Sequence, residues 1–283
     1  MLFAKAFDPP ILYQKMNQPV KVTIVNNNGK YSLEVDGEPF YINGAGLEFG
    51  SIASLAKYKG NSFRTWRTEN GKNTALEILD EAHKFGLKVT MGIEVARERH
   101  GFDYNDEQAV ANQLERIKLE VMALKDHPAL LIWAIGNELN LRYNNYKVWN
   151  AVNDISIMIH QIDPNHPTTT TLAGISKREI DQIKKRAPDL DLLSFQVYGE
   201  LGRLPRQVRS YGWNKPYIVT EWGATGHWEV PKTSWGVPIE ENSTVKAKNY
   251  KSRYMKSMHI DTTLCLGSYV FLWGQKQERT PTW

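Results

Sequence analysis

Short apolar runs and amphipathic stretches alternate along the sequence from Phe40 onwards. Runs rich in β-branched and aromatic residues predict strands, and apolar residues repeated every three or four positions predict helices. Regular alternation of the two is typical of parallel strands joined by right-handed helical crossovers. Eight strands are predicted, and eight repeats fit a closed (β/α)8 TIM barrel better than an open sheet.

The predicted strands are Phe40–Leu47, Ser62–Trp66, Lys88–Ile93, Leu130–Ile135, Thr168–Leu172, Leu192–Val197, Tyr217–Thr220 and Gly267–Leu272. The predicted helices are Ser51–Tyr58, Thr74–Phe85, Asp106–Lys125, Tyr146–Gln161, Ser176–Arg186, Leu204–Tyr211 and Val245–Met258. The residues after the last strand, Gly274–Trp283, are too few and too polar for a closing helix. We therefore expect the eighth helix to be missing or truncated, with Phe3–Met16 or a second chain as candidates to close the barrel.

The N-terminal part of the sequence differs from the rest. Residues 1–19 are irregular and rich in proline. Two β-rich runs, Val20–Val25 and Tyr31–Val35, follow and are joined by Asn26–Gly29, and Asn-Gly between such runs is a strong hairpin signal. We expect residues 20–283 to form one barrel domain that includes the hairpin 20–35.

Composition excludes several functional classes. The only cysteine, Cys265, excludes an intrachain disulfide and a cysteine-based zinc cluster. The net charge is +4 and no run of Lys or Arg reaches five residues, so no nucleic-acid partner is expected. No stretch approaches the ~20 apolar residues of a membrane span, so no membrane partner is expected. The seven His include no His-x-His pair, and neither a metal nor a cofactor is expected.

Polar and aromatic side chains gather where the predicted strands end. Catalytic groups of such barrels lie at the C-terminal ends of the strands. Carboxylates and amides bind hydroxyl groups, and indole faces stack on sugar rings, so this mouth is suited to a polyhydroxylated ligand. The residues near the strand ends are Glu48, Arg64, Trp66, Glu94, Asn137, Glu138, Tyr198, Glu221, Trp222 and Trp273, with Trp228 in the long loop after strand seven.

Glu138 and Glu221 stand out because each directly follows an apolar strand. Their strands are the fourth and the seventh, which lie on opposite sides of an eightfold ring. Glycoside cleavage needs two carboxyl groups across the scissile bond, one as an acid and one as a nucleophile or a base. The pair therefore indicates a carbohydrate-cleaving site.

Local motifs extend this interpretation. Trp133–Glu138 resembles the Asn-Glu motif of clan A glycoside hydrolases, and Thr220–Gly223 resembles their nucleophile motif. The resemblance is closest to the TIM-barrel domain of glycoside hydrolase family 2, with family 5 as a near relative. Segments Asp36–Gly44, Phe63–Thr65 and Asp163–Thr171 also look like that group. The match spans roughly residues 30–275.

The resemblance implies a retaining β-glycosidase that works by double displacement. Glu138 would be the acid/base and Glu221 the nucleophile. Asn137 would hydrogen-bond the sugar 2-hydroxyl. Three further roles are implied: Arg64 would keep Glu221 ionised, Tyr198 would hydrogen-bond it, and Trp273 would form the floor of the sugar site.

Several side chains have two interpretations. Four tryptophans could contact ligand or pack within loops: Trp66, Trp222, Trp228 and Trp235. Glu48 and Glu94 could contact sugar or pair with a nearby Arg. Two aromatic residues, Trp133 and Phe271, lie within the predicted strands and are expected in the core.

One departure from the family leaves the substrate open. The His-Tyr-Pro that follows the strand-two Arg in family 2 is replaced here by Trp66-Arg67-Thr68. The long loop after strand seven, Trp222–Asn242, favours an oligo- or polysaccharide, with a β-glucan as the first choice. Hydrolysis and transglycosylation stay open, as do oligomeric state and compartment, although a polysaccharide substrate would favour a periplasmic or secreted location. The alternative is a glycan-binding barrel with weak or no catalysis.

Overall fold

A small antiparallel sheet precedes the main body of the molecule in the computed structural model, which describes residues 19–275. Its strands are β1 (Val22–Asn27), β2 (Lys30–Val35) and β3 (Glu38–Pro39). The turn residues Asn28 and Gly29 have φ of 53° and 86°, as a tight two-residue hairpin requires. The predicted hairpin is confirmed. The third strand was not predicted, because two residues that include a proline carry no strand pattern.

Eight further strands form a closed parallel barrel, in which each strand pairs with its neighbour in sequence and the last pairs with the first. This confirms the predicted (β/α)8 barrel, and each boundary lies within two residues of its predicted position. The strands are β4 (Ile42–Gly46), β5 (Ser62–Arg64), β6 (Lys88–Ile93), β7 (Leu130–Asn137), β8 (Thr168–Ala173), β9 (Leu192–Gln196), β10 (Tyr217–Trp222) and β11 (Cys265–Val270).

Seven α-helices connect these strands within residues 19–275. One of them, α2, begins at a capping box in which Thr74 and Glu77 bond each other's backbone N–H groups. Among the described residues no helix is both long and apolar enough to cross a bilayer. The helices are α1 (Ile52–Lys57), α2 (Ala75–Lys84), α3 (Glu107–Leu124), α4 (Lys147–Ile162), α5 (Lys177–Arg186), α6 (Leu204–Ser210) and α7 (Ser243–Lys256).

No eighth helix follows β11 up to Gln275, where the described part of the chain ends. The segment Phe3–Met16, expected as one way to close the barrel, lies outside the described residues. The same holds for the chain after Gln275.

The N-terminal sheet covers the end of the barrel where the strands begin. Val22 donates its backbone N–H to Asn165, just before β8, and Tyr31 donates to Thr263, just before β11. Leu33 of β2 is buried in a cluster with residues that begin the barrel strands, including Ile42. One end of the barrel is thus sealed, and the opposite end, where the strands finish, is left for a ligand.

Candidate active site

A cavity of about 830 Å³ opens at the C-terminal ends of the barrel strands. Its wall combines carboxylates with aromatic rings, a composition that suits a ligand with hydroxyl groups and apolar ring faces. The carboxylates are Glu48, Glu138 and Glu221, and the aromatic residues are Phe49, Trp66, Tyr198, Trp228, Phe271 and Trp273.

Glu221 lies in β10 and its buried carboxylate accepts hydrogen bonds from four side chains. Oε1 accepts from Trp66 Nε1 at 2.7 Å, from Gln196 Nε2 at 3.0 Å and from Arg64 Nη1 at 3.3 Å. Oε2 accepts from the Tyr198 hydroxyl at 2.8 Å. All four donors stabilise the ionised carboxylate, and the Arg64 charge adds a buried ion pair. The carboxyl group is therefore held in one fixed orientation.

The donors themselves keep their protons. Burial, followed by the charge of Glu221, raises the pKa of Tyr198 far above its ordinary value, so the phenol stays protonated. Burial lowers the pKa of Arg64, while the neighbouring Glu221 and Glu138 carboxylates raise it. A guanidinium does not lose its proton in proteins, so Arg64 remains a cation.

Asn137 ends β7 and accepts hydrogen bonds from two of the side chains that also donate to Glu221. Its Oδ1 accepts from Gln196 Nε2 at 2.7 Å and from Arg64 Nη2 at 2.9 Å. With the oxygen tied to both donors, the NH₂ group of the amide is left for a ligand. Gln196, which bridges Asn137 and Glu221, was not among the expected site residues. The available signal was its place at the end of β9, two positions before Tyr198.

Glu138 directly follows β7 in an unusual backbone conformation. Its φ is 53° and that of Gly136 is 73°, so two of three successive residues are left-handed. For a residue with a side chain this conformation costs about 1–2 kcal/mol. The Glu138 N–H donates to the Thr171 carbonyl at 2.9 Å, which ties the turn to β8. The turn directs a carboxylate into the cavity at the point where the strand stops.

Two arginines of the loop after β6 hold the same turn. Arg97 Nε donates to the Asn137 carbonyl at 3.1 Å, and Arg99 Nη1 donates to the Glu138 carbonyl. Sequence reasoning did not single out either residue, because contacts to backbone carbonyls leave no pattern in side-chain types.

The Glu138 carboxyl is half-buried and differs electrostatically from Glu221. Burial, followed by the charge of Glu221, raises the pKa of Glu138 from 4.5 to about 7. The guanidinium groups of Arg99, Arg64 and Arg97 partly oppose this rise. Near neutral pH the Glu138 carboxyl can therefore carry a proton, while the Glu221 carboxyl accepts four hydrogen bonds. Such a pair suits acid–base chemistry at a bond placed between them.

The aromatic wall differs in part from the sequence-based expectation. Phe271 is buried, as expected, with 6% of its surface exposed, but it also lines the cavity, and its ring centroid lies 5.7 Å from that of Trp66 and 6.3 Å from that of Tyr198. It therefore touches two donors of Glu221. Trp273 also lines the cavity, and its ring contacts Tyr58 at 5.9 Å. Trp133 is fully buried in the core, as expected.

Two expected site residues, Trp222 and Glu94, do not line this cavity, and their contacts match the alternative interpretations of packing and ion pairing. Side chains alternate along a strand, so Glu221 faces inward and Trp222 faces the helices. Trp222 packs against Tyr250 and Tyr254 of α7, at 5.7 and 6.1 Å between ring centroids. The side chain of Glu94 is 57% exposed and comes within 3.8 Å of an Arg97 nitrogen, which is the ion-pair interpretation.

For Glu48 and Trp228 the structure has features of both interpretations, because each residue lines the cavity and each also contacts another side chain. Glu48 lines the cavity, and its Oε1 accepts from Arg67 Nη2 at 2.8 Å and from Nε at 3.1 Å. Trp228 lines the cavity with 52% of its surface exposed, and its ring meets Tyr198 edge-on at 5.3 Å. Among the described residues, no group of three or more His, Cys, Asp or Glu is arranged to hold a metal ion.

The fold defines a TIM-barrel protein with a cavity at the C-terminal mouth of the barrel. The family model described as glycosyl hydrolases family 2, TIM barrel domain, matches residues 71–260. The chain belongs to this family. No functionally curated protein matches it significantly.

Solved structures with the same barrel include three glycosidases. A β-D-glucuronidase of Dictyoglomus thermophilum is 18% identical, with a TM-score of 0.67 over 91% of this chain and 48% of that one. A Bifidobacterium dentium β-glucuronidase, complexed with coumarin-3-O-glucuronide, is 16% identical. Its TM-score is 0.68 over 90% of this chain and 43% of that one. A family 2 β-galacturonidase of Eisenbergiella tayi, bound to galacturonate, is 17% identical. Its TM-score is 0.65 over 89% of this chain and 46% of that one. At this identity the likeness concerns the fold, and the chain spans about half the length of these proteins.

Proposed function

We propose that the protein is a retaining β-glycosidase that acts on a β-linked oligo- or polysaccharide. One observation carries the proposal: two carboxyl groups line the same cavity in contrasting surroundings. Glu221 accepts four hydrogen bonds, one of them from a buried arginine. Glu138 is half-buried with a pKa raised to about 7. A retaining mechanism needs this combination of an anionic nucleophile and a protonated acid.

In the first step Glu221 attacks the anomeric carbon and forms a glycosyl ester. Glu138 donates its proton to the leaving oxygen as the glycosidic bond breaks. In the second step Glu138, now an anion, takes a proton from water or from a sugar hydroxyl that attacks the ester. The sugar is released with its original anomeric configuration, and Glu138 regains its proton. Water gives hydrolysis and a sugar acceptor gives transglycosylation.

Neighbouring side chains support these steps. The free NH₂ group of Asn137 is placed to donate to the sugar 2-hydroxyl, a contact that strengthens in the transition state. Tyr198 and Arg64 keep the nucleophile oriented and charged. Trp66, Phe271 and Trp273 offer apolar ring faces around the bound sugar.

The surroundings of the cavity support a substrate longer than one sugar. Phe49 and Trp228 lie on its wall with 60% and 52% of their surfaces exposed. Trp235, in the same loop after β10 as Trp228, is 76% exposed. Exposed rings beside a cleft can stack on successive sugar units. A β-glucan is the first polymer to test.

The matched variants Glu138→Gln and Glu221→Gln test the assignment. Each should lower kcat on aryl β-glycosides and β-glucan oligosaccharides by at least about 1,000-fold, because each removes a group that acts in the reaction. Glu115→Gln, an exposed position on α3, is the control. Azide should restore turnover in a Glu138→Ala variant and yield a β-glycosyl azide. Near-normal activity in either Gln variant, or an inverted product by NMR, would refute the proposal.

A further inference from the structure

The charge distribution in the cavity constrains the sugar that it can hold. Its described lining residues include three carboxylates, Glu48, Glu138 and Glu221, and no Lys, Arg or His. The guanidinium of Arg64 is fully buried and donates to Glu221 and Asn137. None of the described lining side chains offers a cation to an anionic ligand.

Glu48 is the carboxylate of this wall that the proposed reaction does not use. Its Oε1 accepts both of the bonds from Arg67, which is not part of the cavity lining. Its backbone carbonyl accepts from Asn70 Nδ2 at 2.8 Å, which fixes the residue at the end of β4. Oε2 makes no hydrogen bond to any described residue, and the side chain remains 30% exposed. A positioned carboxylate oxygen of this kind can accept hydrogen bonds from two sugar hydroxyls.

We propose that the sugar ring bound beside Glu138 and Glu221 is uncharged, and that Glu48 selects it by accepting hydrogen bonds from its hydroxyls. This inference rests on the proposed function and deepens it. It separates the chain from the solved structures of the same fold that carry a glucuronide or galacturonate.

The physical reason is repulsion between like charges in a partly dehydrated cavity. A uronate carboxylate would lie near the carboxylates of Glu48 and Glu221, whose arginine partners are already engaged, and the protonated Glu138 carboxyl adds no cation. Two unit charges a few ångströms apart repel strongly when water is partly excluded. A neutral hexose or pentose in the same place would instead donate its hydroxyl protons to these oxygens. Selectivity for a neutral sugar therefore combines hydrogen bonds to its hydroxyls with electrostatic repulsion of a uronate carboxylate.

A panel of 4-nitrophenyl β-glycosides gives the first test. The neutral members are the glucoside, galactoside, mannoside and xyloside, and the acidic members are the glucuronide and galacturonide. We expect kcat/KM for the best neutral substrate to exceed that for either uronide by at least about 100-fold at pH 6. Turnover of a uronide at an equal or higher rate would overturn the inference and leave the β-glycosidase proposal standing.

The variant Glu48→Gln tests the assigned residue, since it keeps the shape of the side chain and removes its charge. We expect kcat/KM for the neutral substrate to fall about 10-fold, because charge-assisted hydrogen bonds to the sugar are lost. The ratio of uronide to neutral activity should rise, whereas a purely structural defect would lower both activities together. Glu115→Gln is again the control. An unchanged ratio in Glu48→Gln would remove Glu48 as the selecting residue.

Binding decides the inference where turnover is absent. Calorimetry on Glu138→Gln, with a neutral β-linked disaccharide and one whose terminal sugar is a uronic acid, measures selection without chemistry and keeps the charges of Glu48 and Glu221. Tighter binding of the neutral disaccharide supports the inference. Tighter binding of the acidic disaccharide, or equal binding of the two, overturns the inference. Failure of every glycoside to turn over in the unmodified protein would instead refute the proposed function.

Discussion

The indole Nε1 of Trp66 donates a 2.7 Å hydrogen bond to Oε1 of Glu221, the shortest of the four that this carboxylate accepts. The Trp66 ring also lies 4.7 Å from the guanidinium carbon of Arg64 and forms part of the cavity wall. One side chain thus contacts the proposed nucleophile, its cationic partner and the space for the sugar. Trp66 is the first residue of the Trp66-Arg67-Thr68 segment, which replaces the His-Tyr-Pro of the family 2 pattern.

Trp66→Phe separates these contacts, because it keeps an aromatic wall and removes the donor. We expect kcat to fall about 10-fold to 100-fold with a smaller change in KM, since a hydrogen bond to a charged group contributes about 1.5–3 kcal/mol. Steady-state kinetics on the best aryl β-glycoside measure the effect. Trp66→His, which restores a ring N–H, should recover part of kcat. Activity of Trp66→Phe within twofold of the original would show that the bond does not assist the reaction.

The contact of Arg99 with the Glu138 turn predicts a change in pH dependence. The first step of the proposed reaction needs protonated Glu138, so kcat/KM should decline as the pH rises through its pKa of about 7. Arg99 is a cation that opposes the rise of this pKa. Arg99→Gln should therefore move the alkaline limb of the pH profile upward, by ~0.5 pH unit.

Arg99→Lys provides the matched control, because it keeps the charge and alters the donor geometry. Its alkaline limb should stay near that of the unmodified protein even if kcat falls. A downward displacement of the limb in Arg99→Gln would contradict the electrostatic role. An equal displacement in both variants would indicate that backbone geometry, rather than charge, sets the pKa of Glu138.

The opposite placement of Trp222 and Trp228 predicts opposite effects of their removal. Trp222 is 8% exposed and packs on α7, so Trp222→Ala should lower the free energy of unfolding by about 3–5 kcal/mol. Trp228 lines the cavity from an exposed loop, so Trp228→Ala should raise KM for oligosaccharides several-fold with little loss of stability. Urea unfolding and kinetics on both variants check the pair. A stable Trp222→Ala with a raised KM would reverse the assignment.

His160 connects α4 to the segment before β9 and makes stability depend on pH. Its Nδ1 lies 2.8 Å from Asp189 Oδ2 and its Nε2 lies 2.9 Å from Asp191 Oδ2. The hydrogen bond with Asp191 is the main cause that raises the pKa of His160 above 6.5, while partial burial opposes it. A raised folded-state pKa gives stability that is fully present below the unfolded value and is lost as the pH rises through the folded value.

We therefore expect the free energy of unfolding to decrease as the pH rises above 6.5 through the raised pKa of His160. His160→Gln should remove this part of the dependence. The group is partly exposed, so solvent screening limits the effect to about 1 kcal/mol. Urea unfolding at a series of pH values provides the measurement. Parallel curves for the variant and the original would exclude the imidazolium as the cause.

Much of the site followed from the sequence because a parallel barrel brings all its strand ends to one mouth. Glu138, Glu221, Arg64 and Tyr198 could be grouped without coordinates, since each lies at or just after a predicted strand. Their roles in the reaction stay predictions.

Other features depend on distances that sequence patterns do not encode. The bonds of Gln196 to both Asn137 and Glu221 depend on the separation of three strands. The raised pKa of Glu138 depends on burial in a cavity formed by loops. Phe271 follows the end of β11, where the alternation that distinguishes inward from outward residues has stopped.

The left-handed backbone of Glu138 sets the proposed catalytic role of this residue against thermodynamic stability. Glycine would adopt a φ of 53° freely, so the fold alone would favour Gly at this position over Glu. Selection for folding and selection for the proposed chemistry therefore act in opposite directions on residue 138. A library screened only for thermal tolerance would be expected to enrich variants that lack the proposed acid/base carboxyl.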